Sequence, residues 1–338
     1  MTTTAVPLGP AASPGVRGRA RPLALPILAS SDRGPRASGP LTSAATPRPL
    51  TPGSAASAIE SPHGVLELVI SERGERSIAS RQFHEGALRV LRPHYLDDSG
   101  QVCYVVVNPG GAYLGADLFL LDVEVQEGAE LVLTTQSATK VYRTPGSFAE
   151  QRMAIRLGEG ARLELVPDQL IAYREASYRQ RTHVTVRPSS SLVMAEVVTP
   201  GWSPDGAAFR YEEVRLRNEI HVETDEGSEL LALDNLLIRP PSVDVTGLGL
   251  MEGFSHLGSL IVVDPRVDQA LAHDLHSVTS ENDALTGISL TRTVGGTTGL
   301  VLRALSNSTG ELNLLLGACT ALLRKRWYGQ EPLNLRKH

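Results

Sequence analysis

The chain has 338 residues, 41% of them hydrophobic, a mean hydropathy of −0.07 and a formal charge of −5 at pH 7. That is enough for one large domain or two small ones, and with no apolar run of about 18 residues it offers no membrane span. The charge is uneven. Residues 1–60 carry six arginines against two acids, the rest 26 bases against 35 acids, and an acidic body argues against a nucleic-acid partner.

The first sixty residues hold ten of the 22 prolines among many Ala, Ser and Arg. Such a segment buries too little apolar surface to offset its chain entropy and reads as a disordered tail. Within it, RGRARPLALPILASS has the order of a signal peptide. Its apolar run, about seven residues long and containing Pro26, makes a poor h-region. A cytoplasmic location is therefore expected.

From His63 onward short apolar alternations separated by Gly and Pro turns predict a single β-rich domain over 61–338. One turn recurs: Glu127-Gly128-Ala129-Glu130-Leu131 is echoed by Glu159-Gly160-Ala161-Arg162-Leu163. Pro188-Ser189-Ser190-Ser191-Leu192 and Glu226-Gly227-Ser228-Glu229-Leu230 stand at similar phase, at spacings of about 32, 30 and 37 residues. The runs LVLTTQ, RLELVP, SLVMAEVV and LLALDNLLI follow. A small turn and a strand at this period fit a stacked, solenoid-like body, and they fit a β-sandwich of similar hairpins equally well. The stretch LVLTTQSATKVYRTPG (131–146) begins as a strand and then turns polar on both faces, so it faces either a polar interior or solvent.

Two helices are expected late in the chain. Asp264-Pro265 reads as an N-cap and first helical residue leading into VDQALAHDLHSV, and Ser308-Thr309-Gly310-Glu311 reads as a capping box. The second helix carries Leu312, Leu315, Leu316, Cys319, Leu322 and Leu323 on one stripe. It ends in Arg324-Lys325-Arg326, read as complementing the helix dipole. Leu271 and Leu275 mark the buried side of the first helix, leaving His273 and His276 toward solvent.

Catalytic patterns are missing from the sequence. NPGGAYLGAD (108–117) and TVGGTTG (293–299) both fail the phosphate-loop spacings, and G-x-S-x-G is absent. Cys103 and Cys319 lie in apolar segments far apart, as buried thiols of a reducing compartment would; without CxxC or HExxH no strong zinc site is expected. Acids inside apolar runs stand out instead: Asp117 before LFLL, Glu196 in LVMAEVV and Asp234 in LLALDNLLI. They either alternate outward or line a wet internal path, since an unpaired buried carboxylate costs several kcal/mol. Carboxylates without thiolates or clustered imidazoles hold a first-row divalent ion weakly, which suits transfer better than storage.

NPGGAYLGAD, LVLTTQSATKVYRTPG and ARLELVPDQLIAY, followed by VVTPGWSPDGAAFRYEEVRLRNEI, GLGLMEGFSHLGSLIVVD and GGTTGLVLRALSN, closely resemble, in order over roughly residues 64–330, the urease accessory protein family UreD, also called UreH. The resemblance implies a mainly β protein with a helix-like winding of sheets and a few helices near the C-terminus. It implies a non-enzymatic part in metallocentre assembly, as a scaffold that binds apo-urease and UreF. UreF in turn recruits UreG, which brings nickel, within a hetero-oligomeric complex. No tightly bound cofactor is implied, only nickel(II) in transit through an internal tunnel. By position, Asp117, Glu196 and Asp234 become the candidate nickel path. Lys140, Tyr142 and Arg143 fall in the family's Thr-Lys-Val-Tyr-Arg element and Gln136 in the motif just before it, with Lys140 expected to pair with Asp117. Glu196 stands where other members often carry aspartate, and Asp234 where many carry glutamate. A pure docking module, changing urease without conducting nickel, is the other reading.

Overall fold

The computed structural model describes residues 61–335, so the expected tail and its signal-like piece lie outside the described residues. In chain order, β1 (Gly64–Arg73) and β2 (Arg76–Gly86) form a hairpin, and the short β3 (Arg89–Val90) and β4 (His94–Tyr95) lead into β5 (Val102–Val107). The winding part follows as β6 (Leu118–Val125), β7 (Glu130–Thr135), β8 (Thr139–Val141), β9 (Ala149–Leu157), β10 (Arg162–Leu165), β11 (Leu170–Ala172), β12 (Ser177–Val186) and β13 (Ser191–Val198). It closes with β14 (Glu213–Thr224), β15 (Gly227–Ile238), β16 (His256–Val263), α1 (Gln269–Thr279), β17 (Leu285–Arg292), β18 (Thr298–Ser306) and α2 (Thr309–Tyr328).

The chain alternates between two sheets. One has the order β15-β14-β12-β9-β6-β1-β2, the other β17-β18-β16-β13-β10-β7-β5-β3. In each, the strands of successive turns lie parallel, and the antiparallel strands are confined to the ends. The fold is therefore mainly β, with a solenoid-like stacking and two helices. On two turns a third, narrow side is added where β8 and β11 pair in parallel.

The recurring turn sets the period. Leu131, Leu163 and Leu192 are aligned across β7, β10 and β13, 32 and 29 positions apart, and all three are fully buried. Burying each contributes roughly 2 kcal/mol. The turns stack as well: the Gly128 amide donates to the Glu159 carbonyl (3.0 Å) and the Gly160 amide to Ser189 Oγ (2.9 Å). Gly128 and Gly160 sit at φ 69° and 62°, a region costly for side-chain-bearing residues. The fourth turn, at Glu226-Gly227, departs from the series. It joins β14 to β15 as an antiparallel hairpin in the first sheet and starts no new turn of the winding, because Leu230 continues an edge strand.

The second sheet is covered on both faces, which explains the unbroken apolar runs of β13 and β16. Met194 and Val198 point into the core between the sheets, while Val193, Ala195 and Val197 pack under α1 and α2 with Leu260, Leu271, Leu275, Leu315 and Cys319. Both cysteines are buried and unbridged, and burial pushes the Cys319 thiol up to about 12.

Three local expectations are corrected. Helix α1 starts later than Asp264-Pro265: Asp268 is its cap, accepting from the Leu271 amide (2.8 Å), while the fully buried Asp264 is held by Arg266. At α2, Ser308 caps as expected, but Glu311 is taken by Ser306, so the reciprocal half of the capping box is missing. Arg324 is almost fully buried rather than simply facing the helix dipole: it donates to Gln101 (2.9 Å), Glu164 (2.6 Å) and Asp97 (2.9 Å).

Candidate functional site

The alternation of β12, SYRQRTHVTV, places polar residues on both of its faces. Its inward positions include Gln180 and Thr182, and the strand row through Thr182 continues to Asn218 on β14 and Asp234 on β15. Opposite them, β13 turns Glu196 into the same space. Its carboxylate accepts from Gln180 Nε2 and from Asn218 Nδ2 (2.8 Å). Asp234 is ion-paired with Arg303 of β18, and Glu196, Ser259 and Arg303 are aligned across β13, β16 and β18. At the other end, the Tyr113 hydroxyl donates to Gln151 (2.7 Å), which is in register with Gln180. The result is a polar seam between the sheets, from Gln151 to the Asp234–Arg303 pair.

Electrostatics mark Glu196 as the charged group least favoured there. Burial raises its affinity for a proton; the amides of Asn218 and Gln180 oppose this, the Asp234 charge adds to it and the Arg303 charge subtracts. Two buried atoms beside it have no hydrogen-bond partner among the described residues: Asn218 Oδ1 and Ser259 Oγ. Buried orphan acceptors and hydroxyls of this kind are ordinarily met by water or an ion.

The seam borders a cavity of about 80 Å³ lined by Gln151, Gln180, Thr182 and Glu196 on one side and by Thr135 and Asp168 on the other. That is room for several waters, given about 10–15 Å³ of this measure for one. A second space of about 40 Å³ shares Leu88, Val106, Tyr113, Thr135 and Thr139 with it and reaches Gln136 and Lys140. The stretch that turns polar after Thr135 is therefore a corner. Thr134 is buried and donates to the Val166 carbonyl (2.7 Å), Gln136 and Ser137 form the exposed bend, and Lys140 lies half-buried in β8.

The candidate acids are not all brought together. Glu196 and Asp234 share the seam through Asn218, but Asp117 stands apart, at the corner before β6. It accepts from the Leu114 amide (2.7 Å) and faces His63 Nε2 at 3.6 Å. The expected Lys140–Asp117 pair is not among the ion pairs of the described residues, because His63 takes that position. Tyr142 and Arg143 face outward: Tyr142 meets Tyr173 edge-on at 4.7 Å, Tyr173 meets Trp202 at 5.0 Å, and Arg143 lies 3.7 Å from Glu175. Tyr142 is 42% and Trp202 51% exposed, so this aromatic ladder lies open on the narrow side. Sequence reasoning missed Gln180, Asn218, Ser259 and Arg303; the one available signal was polar residues on both phases of β12 and β14.

The described residues thus form a wound, mainly β protein with a hydrogen-bonded polar seam inside and an exposed aromatic ladder outside. The model of the UreD urease accessory protein family matches residues 62–338, and the chain belongs to that family. It is 77% identical over 279 residues to the urease accessory protein UreD of Arthrobacter sp., covering 82% of this chain and 95% of that relative. To the urease accessory protein UreD of Kocuria rhizophila it is 47% identical, covering 81% and 89%. To that of Bacillus cereus it is 33% identical, covering 83% and 100%. The protein is thus a urease accessory protein.

Proposed function

We propose that this protein acts without catalytic turnover as a cytoplasmic scaffold. It holds apo-urease together with UreF and, through UreF, UreG, and nickel(II) crosses it along the interior seam. The observation that carries this reading is Glu196. It is turned inward on a strand otherwise apolar on that face, with the orphan atoms Asn218 Oδ1 and Ser259 Oγ beside it. A carboxylate, amides and a hydroxyl are weak ligands for a borderline ion and so release it as readily as they take it. The Asp234–Arg303 pair ends the seam, and an arriving cation competes with the guanidinium for Asp234. Asp117, outside the seam but close enough to its Tyr113 end for its charge to reach that hydroxyl, would act at an entrance there.

The second reading, a docking module, rests on the exposed ladder of Tyr142, Tyr173 and Trp202, since aromatic side chains make the strongest anchors of protein interfaces. One experiment separates the two. Cells whose own copy is deleted receive either the parent gene or Glu196→Gln with Asp234→Asn, and urease nickel content is measured alongside co-purification of UreF and urease. A conduit gives intact complexes and nickel-poor urease. Full nickel with those substitutions leaves docking alone, and full nickel in the deletion strain itself refutes a maturation role.

A further inference from the structure

Outside the seam, on the opposite face of the first sheet, lies a second cluster of metal-ligating groups. His183 of β12 and Glu219 of β14 are register partners on adjacent parallel strands, and His221 is the next residue on the same face of β14. The two imidazole rings are 4.8 Å apart, His221 Nε2 is 3.7 Å from Glu219 Oε2, and one ligand atom from each of the three residues lies within 4.8 Å of the others. We propose that His183, Glu219 and His221 form a binding site for a divalent transition ion of the nickel, copper and zinc group, separate from the interior seam.

The surroundings fit a ligand role better than a plain ion-pair network. His183 Nδ1 is buried and has no hydrogen-bond partner among the described residues, an orphan atom within the cluster itself. Glu219 binds Arg217 through Oε1, so Oε2 is the oxygen turned toward the histidines. The position in register with His183 on β9 is Ala154, a small side chain that brings no competing polar group beside the ring. On the other side, β15 bulges opposite Ile220/His221 and sets Leu230 and Leu233 beside the cluster, and β-bulges serve to re-aim neighbouring side chains. Two neutral imidazoles and one carboxylate suit nickel, copper or zinc; magnesium and calcium take oxygen-only shells. Burial and the neighbouring His221 hold His183 below the usual histidine range, which favours the neutral, ligating form.

The other charged groups around the cluster are Arg217 and Glu223 on β14, Arg181 on β12 and Arg156 on β9. Arg181 faces Glu150, and Arg156 is tied to Asp122 and Glu124. None of these arginines ligates, so the donor atoms come from the two imidazoles and the Glu219 carboxylate, for which protons compete with the metal.

The site does not rest on the maturation reading and is tested on the purified full chain. Nickel(II), zinc(II) and cobalt(II) are titrated in competition with a chromophoric chelator, and cobalt is followed by its visible absorption. Loss of an equivalent, or at least a tenfold weaker one, is expected in His183→Gln and in His221→Gln, together with loss of the cobalt bands. His273→Gln with His276→Gln, both exposed on α1, should retain both. Should either histidine variant prove misfolded, protection of the parent's histidines from diethyl pyrocarbonate by zinc gives the same answer, with His183 and His221 the protected residues. Unchanged stoichiometry and affinity in His183→Gln/His221→Gln, or protection confined to other histidines, overturns the site.

Discussion

Glu196 shows how one side chain sets a pH response. Its carboxyl is shifted upward by burial, so the folded state binds a proton where the unfolded chain has already released it. Stability is then lost as pH rises from the ordinary carboxylate range through the folded value, and it is fully present below that window. Glu196→Gln removes this slope. The variant should match the parent at low pH and gain on it as pH rises, read from denaturation midpoints across pH; a variant that falls behind with rising pH would mean that its donors hold the carboxylate ionised. Gly201 is a constraint of another kind. At φ 85°, an added Cβ would lie 2.2 Å from the Ala172 carbonyl oxygen. Gly201→Ala should cost about 2 kcal/mol or more through backbone strain and displacement, measurable by urea unfolding. Leu163→Ala, in the aligned leucine row, should cost about 3 kcal/mol by leaving a cavity. A loss below about 1 kcal/mol would mean that the winding collapses to fill it.

Helix α2 is the element whose role depends most on a buried charge network. Just before its last turn it carries Arg324 onto Glu164, which also binds Arg162, and Arg162 stacks over the Tyr328 ring at 3.5 Å. Asp97 joins from β4's side of the sheet: burial pushes its carboxyl up, but hydrogen bonds from Ser99 and the charges of Arg324 and Arg162 outweigh this and hold it below its ordinary value. Removing Glu164 takes away the buried carboxylate that two guanidiniums share, leaving Arg324 with Asp97 and Arg162 with Glu130. Glu164→Ala should therefore cost about 3 kcal/mol, the low end for a broken buried pair, and expose the end of α2 to hydrogen exchange, while the solenoid strands stay protected. Exchange that rises everywhere at once would show that the helix and the winding unfold as one unit. The helix itself was legible: Ser308 at the cap and the apolar stripe, buried as expected except for the half-buried Leu322, rest on local periodicity alone. The fate of Arg324 was not, because its partners Gln101 and Glu164 lie 223 and 160 residues away in sequence.

At the scale of the molecule, a stacked winding leaves edges only at its ends. One end presents β15 and β17, with Leu230, Leu233 and Leu237 on the first and Leu285 and Leu290 on the second, all exposed. Open edges with exposed apolar side chains promote association. Leu233→Lys with Leu237→Lys should accordingly reduce light scattering of the purified chain; equal scattering would place the sticky surface elsewhere, the Tyr142–Trp202 ladder being the next to test.

By itself the sequence determined the β class, the family and the two apolar helical faces, because each is written in local spacing or in contiguous motifs; the recurring turns fitted a stacked winding and a sandwich alike, and the parallel pairing of β7, β10 and β13 decided for the winding. It showed that Glu196 and Asp234 interrupt apolar runs, but not which way they point. Alternation gives a phase, and only the pairing of β13 with helices on one face and the winding core on the other decided that Glu196 turns inward. The tertiary structure likewise separated Asp117 from the other acids, gave Asp117 to His63 rather than Lys140, and turned the Glu226-Gly227 echo into a hairpin. It also brought His183 to Glu219 and His221, residues more than thirty positions apart. Their meeting is a consequence of register between parallel strands, which the period of the turns fixes and no single strand records.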